Sequence, residues 1–238
     1  MTDRSVIIGD VHGCSEALEA LLNVVKPVPG ADRLVLLGDL FDRGPDSRGV
    51  YRIVRCLAEA FGEDFILLRG NHEDFLLRTD LTPREKKIWE YVGRKATVDS
   101  FRDAGEKMEN TIPWLKEHTR LWWRGEQVQC VHAGILVDPP EANDLCTLLH
   151  DHDLVMENRY AGRLTVTGHI ALRKATWFAG NRETFEELED GMERELPEAG
   201  VLCIDTGCGK GGKLTAMMIR GNRFLLCSVP EKGMKSVI

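Results

Sequence analysis

Side chains of metal-ligand or acid–base type recur in this chain wherever a short apolar run stops. "GDVHG" carries Asp10 and His12, "GDLFDRG" carries Asp39, Asp42 and Arg43, and "GNHE" carries Asn71, His72 and Glu73. Later, "VHAG" supplies His132 and "TGH" supplies His169. A single case means little, because an Asp after a strand usually makes a turn or caps a helix and a lone histidine is usually packed. Five repeats are harder to dismiss. Buried carboxylates repel one another unless a proton or a cation intervenes, and a metal ion is the simplest neutraliser. Carboxylate, imidazole and amide oxygen suit manganese, iron or zinc better than calcium or an iron–sulfur centre. The seven cysteines contain no C-x-x-C pair, which argues against a structural zinc site. Asp10 and His12 are two apart, so the extended end of a strand would aim both to one side. Asp39 can give an oxygen to each of two ions, a pair about 3.5–4 Å apart.

The elements that must carry these groups are readable in outline. "RSVIIGD", "DRLVLLGD" and "DFILLRGN" are strands, separated by helical patterns through "CSEALEALLNVV" and "SRGVYRIVRCLAEAF", with another helix starting at "HEDFLLR". Short apolar runs alternating with helical periodicity predict βαβ units and parallel strands. Each of the three strands ends in Gly plus a polar residue, which places that residue at the carboxyl end of the sheet. Residues 83–119 are charged, mainly helical and dotted with aromatics, and read as a cap over the site within about residues 80–120. A second set of strands follows: "EQVQCVHAG", "RLTVTGH", "GVLCIDTG", "GKLTAMMIRG" and "RFLLCSV". Gly-rich turns between the last three predict antiparallel pairing there. The acidic stretch "FAGNRETFEELEDGMERELPEAG" reads as a solvated surface connection. With no fixed-period repeat and no clean linker, residues 1–238 are expected to form one α/β domain of two stacked sheets.

Composition bounds the partners. The hydrophobic share of 43% allows a real core, and a formal charge of -7 gives no broad reason to grip nucleic acid or an anionic membrane. No run approaches the apolar length of a membrane span and the first ten residues contain no signal-type segment, so a cytoplasmic location is expected. Cys130, Cys203 and Cys227 sit in hydrophobic runs and read as reduced core thiols.

The ordered set "GDVHG", "GDLFDRGPDS", "RGNHE", "VHAG" and "TGH" resembles the calcineurin-like metallophosphoesterase superfamily, and within it the bacterial serine/threonine phosphoprotein phosphatases. The resemblance runs from about residue 5 to about residue 220, and the first three motifs together are very specific. It implies a four-layer αββα sandwich of two mixed β-sheets flanked by helices. It also implies two divalent metal ions, manganese foremost, with iron or zinc as alternatives. By the same resemblance Asp10, His12 and Asp39 hold the first ion, and Asp39, Asn71, His132 and His169 the second. His72 matches the general acid, paired with Asp42, and Arg43 matches the phosphate clamp. Asn71 and His72 also face the phosphate, and a second arginine lies nearest Arg159, with Arg163 close by.

These assignments fit direct attack on phosphorus by a metal-bridging hydroxide, with no covalent enzyme intermediate and with inversion at phosphorus. Several residues have plain alternatives. Arg43 could pair with Asp46 across a Gly-Pro turn, Glu73 reads as a cap near its own backbone, and His150 and His152 in "LLHDHDLV" read as exposed loop residues. Trp122 and Trp123 read as packing between cap and sheet. "GCGKGG" lacks the G-x-x-x-x-G-K-[ST] spacing of a phosphate loop. The motifs specify the reaction better than the substrate. A phosphoserine or phosphothreonine protein phosphatase is the first expectation. A dinucleoside tetraphosphate hydrolase and a broad phosphomonoesterase or phosphodiesterase are alternatives, and nucleic-acid ends or a non-catalytic metal-binding module are more remote. Two places depart from common family wording: Ile170 after the last histidine, which is expected to leave the metal geometry alone, and "YVGRKATVDSF" in the cap, which bears on the substrate. The oligomeric state is open.

Overall fold

A computed structural model describes residues 4–232. In chain order the first part contains β1 (Arg4–Ile8), α1 (Ser15–Val25), β2 (Asp32–Leu36), α2 (Ser47–Phe61), β3 (Phe65–Leu68) and α3 (Asn71–Leu77). Helices α4 (Pro83–Tyr91), α5 (Arg94–Asp103) and α6 (Ile112–His118) follow, then strands β4 (Thr119–Arg120), β5 (Trp122–Arg124) and β6 (Gln129–Val131). The rest holds α7 (Leu145–His150), α8 (Asp153–Met156), β7 (Thr165–Thr167), β8 (Thr176–Phe178), β9 (Phe185–Glu187) and β10 (Arg194–Glu195). It closes with β11 (Val201–Cys203), β12 (Lys213–Arg220) and β13 (Arg223–Pro230).

The strands form two mixed sheets, one in the order β10-β13-β12-β1-β2-β3-β4 and one in the order β5-β6-β7-β11-β8-β9. Strands β1, β2, β3 and β4 pair parallel in the first, and β6, β7 and β11 in the second. Side chains alternate between faces along a strand, and here both faces are apolar. Val6, Ile8, Leu34, Leu36 and Leu67 pack under α1 and α2 with Leu18, Leu21, Val50 and Val54. Their neighbours Ile7, Val35, Ile66 and Leu68 point the other way and meet Cys130, Val166 and Leu202 of the second sheet. The outer face of that sheet buries Val131, Val201 and Cys203 against Leu148 and Val155 of the two short helices. Three apolar layers therefore separate helices, sheet, sheet and helices, which is the four-layer sandwich expected.

Local chemistry sets the helix starts near the site. Asp46 caps α2 by accepting from the Gly49 N–H at 2.8 Å, and it also accepts from Ser15 Oγ at 2.6 Å. Thr82 and Glu85 exchange hydrogen bonds at the head of α4, with Pro83 in its first turn, so the "TPRE" run is a capping box.

The structure corrects three expectations. Strands β12 and β13 do form an antiparallel hairpin, but β11 leaves for the other sheet and pairs with β7 and β8. The acidic stretch is exposed yet carries β9 and β10, the edges of the two sheets. Trp123 belongs to the core between the sheets, while Trp122 packs against the outer layer.

Candidate active site

Five parallel strands end at one place. Strands β1, β2 and β3 deliver Asp10, Asp39 and Asn71 just beyond their last residues, and β6 and β7 deliver His132 and His169. The loops after β1 and β2 are bonded directly: the N–H groups of Val11 and His12 both donate to the Asp39 carbonyl, at 3.1 and 2.8 Å. Glu73 joins the next loop to them. Its carboxylate accepts from Asp39 N–H at 2.8 Å, Leu40 N–H at 2.9 Å and Gly70 N–H at 3.0 Å. It is more than the local cap read from sequence, since it reaches across to β2.

The backbone is strained where the chemistry gathers. His12, Asp39, Asp42, Arg43 and His169 all have positive φ, between 45° and 68°. Non-glycine residues seldom adopt this region, and each such conformation costs on the order of 1–3 kcal/mol and persists only where its surroundings enforce it. Asp10 and His12 therefore reach one site through a left-handed turn, and the extended strand end expected from sequence is absent.

The imidazoles are oriented by carbonyls. His12 Nδ1 lies 2.9 Å from the Phe41 carbonyl and His132 Nδ1 lies 2.8 Å from the Leu37 carbonyl. A carbonyl can only accept, so Nδ1 carries a proton in both, and in a neutral ring Nε2 is then left with a lone pair. His12 Nε2 faces Asp39 Oδ2 at 3.5 Å, and His132 Nε2 faces Asp39 Oδ1 at 3.4 Å. Burial drives the His12 pKa well down and lowers that of His169 to about 2, so both rings are neutral. Lone pairs facing carboxylate oxygens repel unless a cation lies between them. Two donor sets meet within 4.8 Å, one of His12, Asp39 and His72 and one of Asp39, His132 and His169. Asp39 is common to both.

Asp10 completes the case for cations. It is 1% exposed, and its Oδ2 accepts from the His169 N–H at 2.9 Å. Its Oδ1 and the Nε2 of His169 are buried without a hydrogen-bond partner. Desolvation, with Asp205 and Asp39 nearby, pushes the Asp10 pKa well above the carboxylate range. Buried oxygens and nitrogens left without donors fit divalent metal ions. Asn71 Oδ1 sits among them, 3.1 Å from His132 Nε2 and 3.0 Å from His169 Nδ1.

His72 is built differently. Its Nδ1 is 2.6 Å from Asp42 Oδ2, and its Nε2 is 3.5 Å from the Arg43 guanidinium. Burial opposes a charged ring, but the Asp39 and Asp42 carboxylates outweigh it, so the His72 pKa is raised. Asp42 in turn accepts from Trp89 Nε1 at 2.8 Å and Thr97 Oγ1 at 2.7 Å, both from the helical segment expected to cap the site. Arg43 has no carboxylate partner among the described residues, and its buried Nε is unbonded; Asp46, its rival partner, is occupied as the α2 cap.

A cavity of about 640 Å³ opens over these groups. Its polar floor includes Asp39, Arg43, Asn71 and His72, and Phe75, Ile88, Val92 and Leu145 add apolar wall. His150, His152 and Lys210 also line it. His152 is the exposed loop residue expected, with its ring 4.4 Å from that of His169, whereas His150 ends α7, is half-buried and packs edge-on to Phe75. Arg159 does not line the cavity; it is half exposed and pairs with Glu157 at 2.6 Å. Arg163 bonds the Gly125 carbonyl at 2.7 Å. Sequence reading missed Asp205, Trp89, Thr97 and Lys210. Only the "CIDTGCGKGG" wording hinted at the first and last.

Comparison with known proteins identifies the family. Residues 4–200 match the model of the calcineurin-like phosphoesterases. A "Bis(5'-nucleosyl)-tetraphosphatase, symmetrical" of Thioalkalivibrio sulfidiphilus is 34% identical, covering 87% of this chain and 92% of that protein. One of the same name from Pseudomonas putida is 25% identical over 95% of this chain and 93% of its own length. A crystal structure titled as a putative diadenosine tetraphosphatase superposes with a TM-score of 0.61 at 23% identity, covering 99% of this chain and 96% of that one. These curated relatives are named for tetraphosphates, so the expectation of a serine/threonine phosphoprotein phosphatase is not supported. The chain belongs to the calcineurin-like phosphoesterase family and is a metal-dependent phosphoesterase.

Proposed function

We propose that this protein hydrolyses dinucleoside polyphosphates, with a bis(5'-nucleosyl) tetraphosphate cleaved symmetrically into two nucleoside diphosphates. The observation that carries phosphate hydrolysis is Asp39 shared between two donor sets with the His72–Asp42 pair beside it. The names of relatives matched along nearly the whole chain support the substrate class, and a cavity of about 640 Å³ leaves room beyond a single phosphate.

Asp10, His12 and Asp39 would hold one divalent ion and Asp39, Asn71, His132 and His169 a second, with manganese the first expectation. His72 borders the first set closely enough to be tested as a further ligand. Bound there, such ions compensate phosphate charge and make water a nucleophile at neutral pH. The protein's own groups do the rest. Arg43 supplies a planar fork of donors for the scissile phosphate. Asp42 holds the His72 ring through Nδ1, which leaves Nε2 to carry a proton toward the departing oxygen. Trp89 and Thr97 hold Asp42. The apolar wall of Phe75, Ile88, Val92 and Leu145 suits a nucleoside base.

The test is turnover, with a divalent cation added, of diadenosine tetraphosphate, a phosphoserine peptide, p-nitrophenyl phosphate and bis-p-nitrophenyl phosphate. The expected result is the highest kcat/KM for diadenosine tetraphosphate, with ADP as sole nucleotide product. A preference for the phosphopeptide would overturn the substrate class and leave the hydrolytic site standing.

A further inference from the structure

The cavity is lined by three strongly basic side chains, Arg43, Arg78 and Lys210. Arg78 is already spent on carboxylates: it donates to Asp80 at 3.0 Å and to Glu85 at 2.6 Å. Arg43 and Lys210 pair with no carboxylate among the described residues. Two cations are thus left for an anionic ligand, and only Arg43 stands beside His72, where the reacting phosphate must lie.

Lys210 is delivered by a turn rigid enough to aim it. The loop between β11 and β12 folds on itself, with the N–H groups of Lys210 and Gly212 both donating to the Gly207 carbonyl at 3.0 Å. Gly207, Gly209 and Gly211 have φ of 83°, 80° and 87°, conformations that side chains rarely tolerate. The approach is as tight as a glycine allows. A Cβ on Gly209 would lie 2.6 Å from the His12 Cβ and 3.2 Å from the Arg43 Cβ. The "GCGKGG" run is therefore no phosphate loop of the nucleotide-triphosphatase kind. It is a platform whose Gly209 backbone packs against His12 and Arg43, and its next residue, Lys210, lines the same cavity as that arginine.

We infer that Lys210 binds the phosphate next to the one being hydrolysed, and so selects polyphosphate chains over simple monoesters. This rests on the hydrolytic reading of the site, and it names the group that recognises the second phosphate. An ammonium on a flexible stem suits a phosphate whose position varies with the ligand, whereas the scissile phosphate needs the fixed fork of Arg43.

AMP and ADP differ by one phosphate and serve as probes. Each is measured as a competitive inhibitor of p-nitrophenyl phosphate turnover and by calorimetric binding to the metal-loaded protein. For Lys210→Ala the expected result is that ADP weakens about tenfold more than AMP does, with Lys210→Arg restoring most of the difference. Equal weakening of AMP and ADP, or none for either, would overturn the inference. Failure of the wild type to hydrolyse diadenosine tetraphosphate would refute the substrate class alone. The ADP/AMP ratio would still decide the role of Lys210.

Discussion

The Nδ1 atom of His72 and the Oδ2 atom of Asp42 are 2.6 Å apart, and both side chains are 1% exposed. That distance makes Asp42 the orienting partner of the ring. A buried carboxylate needs donors of its own, and Asp42 takes them from Trp89 and Thr97 of α4 and α5. The helical segment after α3 thus reaches the centre of the site through one aspartate. Activity is expected to answer to changes in that segment even where they touch no substrate.

His72→Asn keeps a polar side chain and removes the proton-carrying Nε2. Turnover of an alkyl phosphate, whose departing oxygen needs a proton, is expected to fall by about 10²–10⁴-fold. Diadenosine tetraphosphate, which releases a phosphate oxygen, should lose much less. Metal content by elemental analysis separates two roles. Retained metal with a leaving-group-dependent loss supports the acid, and lost metal makes His72 a ligand.

Glu73→Gln tests the carboxylate that ties three loops together. One of its oxygens becomes an NH₂ group facing backbone N–H donors, so at least one hydrogen bond disappears and a buried donor is left unpaired. Stability in urea is expected to fall by about 1.5–3 kcal/mol, with reduced metal occupancy because Asp39 and Leu40 lose their anchor. A variant as stable as the wild type would show that the three bonds are dispensable.

Arg159→Ala addresses the second arginine implied by family resemblance. Its partner Glu157 is 44% exposed, and exposed pairs of this kind contribute only about 0–1 kcal/mol. Kinetic constants for any phosphate ester are expected to stay within about twofold of wild type, since Arg159 does not line the cavity. A tenfold loss would return Arg159 to the phosphate site.

Acid stability should depend on Asp32, which faces Arg4 across the first parallel strand pair. Burial opposes its ionisation, but hydrogen bonds from Arg4 and the Val28 N–H outweigh that, and its pKa is lowered. A depressed carboxylate contributes stability that is fully present above its unfolded pKa and is lost as pH falls through the folded value. Wild type should therefore exceed Asp32→Asn in Tm at pH 7, and the gap should close as pH drops below about 4. A gap that persists to pH 2 would locate the effect in packing.

Much of this protein can be read without coordinates. Short apolar runs ending in Gly-Asp or Gly-Asn mark β1, β2 and β3 because parallel strands buried on both faces must be apolar throughout, and their polar ends can lie only at the sheet margin. That logic finds Asp10, Asp39, Asn71, His132 and His169, since each lies within three residues of the end of its own strand. Residues joined only by tertiary packing escape it. Trp89 and Thr97 reach Asp42 from helices 47 and 55 positions along the chain, and nothing local marks them. Periodicity could not tell that β11 leaves its neighbours for the second sheet, because a three-residue buried strand looks alike in either. It could not separate Arg159, which pairs with Glu157 outside the cavity, from His152, which lines it with its ring tilted beside that of His169, because a loop's direction is set by what it packs against. The left-handed turns at His12, Asp39, Asp42, Arg43 and His169 are decided the same way: unfavourable residue by residue, they persist because the surrounding loops and sheets hold them in place.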